Sequence, residues 1–163
     1  MQQTNQDQLS WSQQRSPTGK FCIHRKHLSL ALGGIKDVGT WGGGHPFDVE
    51  LTRVPPGAAN WPLHSHAAQW ELFIVLSGRG EARTPDGVKP FVAGDCLLFP
   101  PGEAHQLTNT GEADLFYYVV TDQPPADVIA YPNSKKWFVK PQRKFFRMHE
   151  VDYYEGEDGP PAG

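Results

Sequence analysis

An all-β sandwich or barrel with irregular ends is the fold class that this 163-residue chain predicts, and three observations carry it. Short apolar or alternating runs recur between residues 47 and 120, each bounded by turn residues. The 17 glycines and 15 prolines are spread along the chain rather than gathered in one linker, which suits many tight turns. No stretch of that region repeats its apolar residues at helical spacing.

Taken in order, residues 1–16 are polar, Gln-rich and aperiodic, and read as a disordered tail. From Phe21 to His45 the glycine-dense pattern predicts irregular structure with short strands laid against the core. Residues 47–54 alternate, with Phe47, Val49 and Leu51 on one face and Asp48, Glu50 and Thr52 on the other. That is the pattern of a half-buried strand, its apolar face turned inward. Pro55-Pro56-Gly57 ends it. Glu71 then leads the apolar run Leu72–Leu76, a second and largely buried strand. Pro85-Asp86-Gly87 has hairpin chemistry. Two or three further strands follow, separated by Pro100-Pro101-Gly102 and by Thr110-Gly111-Glu112. These elements place one domain over residues 17–148, with a barrel core at 47–120. An acidic frayed tail occupies 149–163.

Lys and Arg number 15 against 18 Asp and Glu, a net charge of −3. That balance excludes sequence-wide binding to nucleic acid or to an anionic membrane surface. The first residues carry neither a basic region nor an apolar stretch, so no secretory signal is expected. No run approaches the roughly 20 apolar residues of a membrane span. Cys22 and Cys96 are too few for a disulfide framework, and Cys96 reads as a small buried apolar residue. A cytoplasmic protein with reduced thiols is the expectation.

The informative stretch is "HSHAAQWELFIVLSG", residues 64–78. On a strand, side chains alternate faces, so His64 and His66 point the same way. A carboxylate opening a buried strand beside two imidazoles needs a partner, and a metal ion would serve. A lone His-x-His pair is weak evidence, because a buried histidine is more often a hydrogen-bonded core residue than a ligand. The wider spacing decides. His64-x-His66 is followed after four residues by Glu71 and after six more by Gly78. A second block runs from Gly94 through Pro100-Pro101-Gly102 to His105 and Asn109. These two blocks, in this order, resemble both signatures of the cupin superfamily over residues 47–120. The second agrees at every position. The first departs only at its start, where six residues rather than five separate Gly57 from His64.

The resemblance implies a small antiparallel jelly-roll barrel, built of two sheets. It also implies that His64, His66, Glu71 and His105 converge on one divalent metal. The donor types agree on their own account: three imidazoles and one carboxylate suit Fe, Mn, Co, Ni, Cu or Zn, with Fe, Mn, Ni or Zn preferred here. Gly78, Gly94 and Gly102 read as turn residues, and Asn109 as structural. His24, His27, His45 and His149 lie in irregular, polar or terminal stretches and are expected at the surface. His45, beside Pro46, has the barrel mouth as its alternative.

Candidate substrate residues are fewer. Phe73 and Val75 share the strand parity of Glu71 and would line the barrel below the metal. Arg53, on the face of Phe47, Val49 and Leu51, would either grip a substrate carboxylate or phosphate or reach to solvent at the rim. Tyr117 or Tyr118, whichever faces inward, would donate a hydrogen bond, act as a general acid, or only pack. The segment 135–147 interleaves basic and aromatic residues, but the acidic stretch from Glu150 to Asp158 offsets its field. Its aromatics are therefore expected to pack across the barrel or a dimer interface, with no nucleic acid or membrane as partner.

The function implied is a small metalloenzyme acting on an oxygenated organic small molecule. Dioxygenase chemistry is preferred because no base stands out beside the ligands. A sugar or sugar-phosphate isomerase or epimerase is the alternative, since "DVIAYPNSKKW" resembles the tail of bacterial cupins labelled that way. A non-catalytic metal-dependent binding module is the third. A homodimer follows by analogy of fold, with the N-terminal segment adding to a partner's sheet.

Overall fold

The computed structural model describes residues 1–159. Thirteen strands follow one another: β1 (Ser12–Arg15), β2 (Cys22–His27), β3 (Phe47–Val54), β4 (Ser65–His66), β5 (Glu71–Ser77), β6 (Arg79–Thr84), β7 (Gly87–Val92), β8 (Cys96–Phe99), β9 (Gln106–Asn109), β10 (Leu115–Asp122), β11 (Asp127–Tyr131), β12 (Lys136–Lys140) and β13 (Lys144–Phe146). One helix of four residues, α1 (Leu28–Ala31), sits between β2 and β3. The all-β expectation holds.

A six-stranded sheet in the order β1-β2-β3-β10-β5-β8 forms one wall. Two smaller sheets, β13-β12-β11-β4 and β7-β6-β9, form the other. All paired strands are antiparallel. Apolar side chains fill the end facing β6, β7 and β9, where Val54, Phe73, Val75, Phe91, Leu107, Leu115 and Tyr117 pack together. The end facing β4, β11 and β12 is left open as a cavity. Turns are placed as the glycines predict: Gly78, Gly94 and Gly102 have φ of 88°, 94° and 88°, which L side chains rarely adopt. Asn109 ties the barrel internally, its amide donating to Val54 O at 2.8 Å and to Ala113 O at 2.9 Å.

Several expectations are corrected. Residues 1–16 are not a disordered tail. β1 adds to the six-stranded sheet beside β2. Gln6 also bridges the outer surface, accepting from Lys26 Nζ at 2.8 Å and from the Tyr118 hydroxyl. Trp11 lies 6.2 Å from the Phe116 ring and within cation–π range of Lys26 and Arg53. This cover has a consequence for β3. Lys26, Leu51 and Tyr118 are cross-strand neighbours, so Gln6 spans the ridge above Leu51 on the outside of the sheet. The apolar face of β3 is thus the outer one, and Asp48, Glu50 and Thr52 point into the cavity.

Cys96, expected buried, is exposed, while Cys22 is buried. β2 and the β11–β13 region extend the structured core on both sides of 47–120. Residues 149–159 are exposed throughout, and the last four of the expected acidic tail, 160–163, lie outside the described residues. Among the described residues no helix is long and apolar enough to cross a membrane.

Removing residues 1–15 uncovers the outer face of β3 and strips a strand from the sheet. We expect a loss of at least about 2 kcal/mol, the scale of burying one large apolar side chain, or roughly 4–8 °C in Tm for a domain of this size. A calorimetric scan that leaves Tm unchanged would restore the disordered-tail reading.

Candidate metal centre

The centre is assembled from four short pieces of chain. His64 and His105 exchange backbone hydrogen bonds, His105 N donating to His64 O at 2.8 Å and His64 N to His105 O at 3.2 Å. His66 lies on β4, paired with Ile129 of β11. Its carbonyl accepts from Gly102 N at 2.7 Å, which draws the Pro-Pro-Gly turn against the site. Glu71 opens β5. The link between β4 and β5 is held by Gln69 Nε2 donating to Asp122 O at 2.6 Å and Trp70 N donating to Asp122 Oδ1 at 2.8 Å.

Each imidazole is oriented from behind. His64 Nδ1 meets Pro62 O at 2.9 Å, His105 Nδ1 meets Glu103 O at 3.2 Å, and His66 Nδ1 meets Asp127 Oδ2 at 2.5 Å. Carbonyls and carboxylates only accept, so Nδ1 is the protonated nitrogen in all three. A neutral ring then presents its Nε2 lone pair forward. All three Nε2 atoms face Glu71 Oε2, at 3.8 Å from His64, 3.7 Å from His66 and 2.7 Å from His105. Burial pushes the His64 ring down to about 4, so it is neutral at pH 7. Burial alone would raise Glu71; the His105 contact and positive charge on the surrounding imidazoles lower it, and where those rings are neutral a bound cation would have to take their place.

An ionised carboxylate facing imidazole lone pairs is unfavourable unless a cation lies between them. Glu71 Oε2 and His105 Nε2 are buried and make no properly aligned hydrogen bond, even to each other. Donor atoms of His64, His66 and Glu71 all lie within 4.8 Å of one another, so this group can hold a metal ion. Phe99 stacks on His105 at 4.0 Å, Phe73 meets it edge-on at 5.8 Å, and Tyr131 stacks on His64 at 6.0 Å. These rings close the floor and one side.

Above the floor is a cavity of about 240 Å³. Its opposite wall is charged, because β3 turns its polar face inward. Glu50 is locked there: Oε1 accepts from His27 Nδ1 at 2.6 Å and Lys36 Nζ at 2.9 Å, and Oε2 accepts from Arg25 at 3.1 Å. Burial would raise the Glu50 carboxyl, yet the His27 bond and the Lys36 and Arg25 charges hold it far below the usual range. Lys36 arrives on the glycine-rich segment 33–44, whose fold leaves no room at Gly44, where a Cβ would sit 1.8 Å from Val38 O. At the mouth, Asp37 pairs with Lys140 at 3.3 Å and with Arg143 at 3.0 Å, tying that segment to the β12–β13 hairpin. Phe138 and Phe145 of the hairpin also line the cavity.

The candidates from sequence divide accordingly. His64, His66, Glu71 and His105 come together. Phe73 and Val75 point inward beneath them, as expected. Of the two tyrosines, Tyr117 faces the cavity, where burial raises its hydroxyl above the ordinary range. Tyr118 faces outward onto Gln6. Arg53 is also outside, beside Trp11 and 3.6 Å from Asp114, so it grips no substrate in this cavity. His27 is no free surface residue, since it holds Glu50. Missed were Asp127, whose sixty-one-residue separation from His66 leaves no motif, and the Glu50 network. The run "IHRKH" on β2 was its one signal: a strand that basic needs carboxylates beside it.

A family model for the cupin domain matches residues 50–121. The chain belongs to the cupin superfamily. Over 125 residues this cupin is 30% identical to auxin-binding protein 1 of Arabidopsis thaliana, a match covering 69% of the chain and 56% of that protein. Over 68 residues it is 34% identical to the oxalate-binding protein of Thermotoga maritima, covering 42% and 55%. The cupin thus spans only about half the length of the curated relatives it matches. Its fold superposes on a crystal structure of a sugar phosphate isomerase from Silicibacter pomeroyi with a TM-score of 0.73, 24% identity, and 99% and 96% of the two chains covered.

Two outcomes follow from these contacts. Asp127→Asn removes the charge that aims His66, and metal affinity should fall about 10–100-fold in a chelator competition. Unchanged affinity would mean that the β4–β11 pairing alone orients the ring. Glu50→Gln leaves Arg25, Lys36 and His27 without their anion and should cost about 3–5 kcal/mol at pH 7. The depressed Glu50 carboxyl contributes stability above its unfolded value of about 4.3 and loses it as pH falls through its lower folded value. Thermal melts from pH 7 to 3 should therefore slope less steeply for Glu50→Gln than for the native chain.

Proposed function

We propose that this cupin is a metal-dependent enzyme acting on a small, oxygen-rich organic molecule by moving protons rather than by activating dioxygen. The observation that carries the reading is the convergence of three imidazole Nε2 atoms on one ionised carboxylate at the floor of a cavity. His64, His66, Glu71 and His105 would hold one divalent ion there. When bound, such an ion would polarise a carbonyl or hydroxyl oxygen of the substrate.

The protein's own groups supply the rest. Phe73, Phe99 and Tyr131 exclude water from the imidazoles. Arg25 and Lys36 place positive charge along the wall, and Lys140 does so at the mouth, where each is balanced by a carboxylate. The preference for oxidative chemistry in the sequence rested on the lack of a base near the ligands. With β3 turned polar face inward, carboxylates line the cavity opposite the histidines, and that favours proton transfer. The ligand names of similar proteins, oxalate and sugar phosphate, are those of oxygen-rich anions, in keeping with such a cavity. A binding role without turnover is the second reading, favoured by the two curated relatives that are named for binding.

Elemental mass spectrometry on untagged protein, purified without chelator, tests the core of this. About one divalent transition metal per chain is expected, and the His64→Ala, His66→Ala double variant should lose it while remaining folded. A native protein that holds no metal and takes up none on reconstitution would sink the reading.

A further inference from the structure

We propose that Asp48 is the catalytic base of this cavity, moving a proton between adjacent carbons of an α-hydroxy carbonyl substrate of the aldose or ketose type. The inference rests on the metal-centred reading above and adds the group that reading lacks.

Position comes first. Asp48 of β3 is paired with Thr121 of β10, and Thr121 with Glu71 of β5. All three line the cavity. The two carboxylate residues therefore confront each other across one intervening strand, with Cα atoms about 10 Å apart, twice the strand spacing. A chain of a few carbons fits between their side chains.

Availability comes second. The other acidic side chains around the cavity are taken. Glu71 belongs to the metal group, and both oxygens of Glu50 accept hydrogen bonds. Asp127 is held by His66 and Ala68 N, and Asp37 by Lys140 and Arg143. Asp48 differs. It is only 9% exposed, its Oδ1 has no hydrogen-bond donor, and its Oδ2 lies 3.7 Å from Lys36 Nζ, an ion pair beyond hydrogen-bond reach. A buried carboxylate with unused acceptors is costly unless an occupant of the cavity supplies the donor. The plainer alternative is that Asp48 only balances Lys36. In that case Asp48→Asn would weaken the pairing with Lys36 but leave proton exchange at the native rate.

The step balances without a co-reactant. The Asp48 carboxylate takes the proton from the carbon beside the carbonyl. The C–H electron pair becomes the C=C bond of an enediol(ate), and the carbonyl π pair moves onto its oxygen. The proton on the first carbon's hydroxyl passes to the former carbonyl oxygen, making it a hydroxyl and leaving the new carbonyl behind, and the carboxylic acid returns its proton to the former carbonyl carbon. Nothing is oxidised or reduced overall.

The test uses the full chain loaded with zinc, incubated in D₂O with ribose 5-phosphate or fructose 6-phosphate as probes. Proton NMR follows loss of the C–H signal beside the carbonyl. Native protein should exchange it, and Asp48→Asn should slow exchange at least about 100-fold, the usual scale for a lost general base. Zinc content should be unchanged, and calorimetric affinity for sorbitol 6-phosphate, which has no carbonyl, should stay within about threefold because the amide oxygen still accepts. Asp48→Glu should recover part of the rate. Exchange by Asp48→Asn at the native rate overturns the role of Asp48 and leaves the metal reading standing. Loss of zinc from Asp48→Asn also overturns it, by making the residue structural. Zinc-loaded native protein that exchanges neither probe overturns it as well, whereas native protein that takes up no zinc or other divalent metal fails at the earlier reading.

Discussion

A negative charge at the head of β5 sets the terms for the rest of the interior. Glu71 is largely buried, and its carboxylate, faced by the lone pairs of three neutral imidazoles, calls for a cation among the four side chains. Those imidazoles cannot drift: each is pinned through its far nitrogen, two by backbone carbonyls and one by Asp127. The backbone exchange between His64 and His105, the pairing of β4 with β11 and the closeness of the Pro-Pro-Gly turn all serve to keep these anchors in place. Loosening any of them would misplace a lone pair relative to a charge in a region of low dielectric, where such errors are expensive.

The second organising feature is a sheet whose two faces are both demanding. The inner face of β3 carries acids and the outer face carries Val49, Leu51 and Arg53. The outer face is tolerable because the N-terminal segment lies over it, with Gln6 and Trp11 as its contacts. The inner face is tolerable because Arg25 and His27 come from the neighbouring strand and Lys36 from the segment beyond α1. N-terminal residues thus support the cavity from both sides of the same strand.

What could be read from the chain divides along the range of the interactions. The two histidine-bearing blocks are local: the histidine and glutamate spacing, turn glycines and the strand of Glu71 lie within short stretches, so the candidate metal-binding group and the fold family were visible. The facing of β3 was not. An alternating strand has two equivalent solutions, and the choice depends on partners that come from residues 6–11, 25–27 and 36, none of which the alternation encodes. The same reasoning explains Arg53, which followed the wrong face outward. Cys96 was placed by its apolar neighbours, but it sits on an edge strand where one face meets solvent. Asp127 is joined to His66 only by the fold. Polar composition hid β1, since its residues are exposed even though its backbone is paired.

The ion pairs of Asp37 with Lys140 and Arg143 join two stretches that both fall outside residues 50–121. The floor of histidines and Glu71 and the doorway above it are therefore written in different parts of the chain. Insertions, deletions or exchanges in residues 33–44 and 136–146 can reshape what is admitted without touching His64, His66, Glu71 or His105.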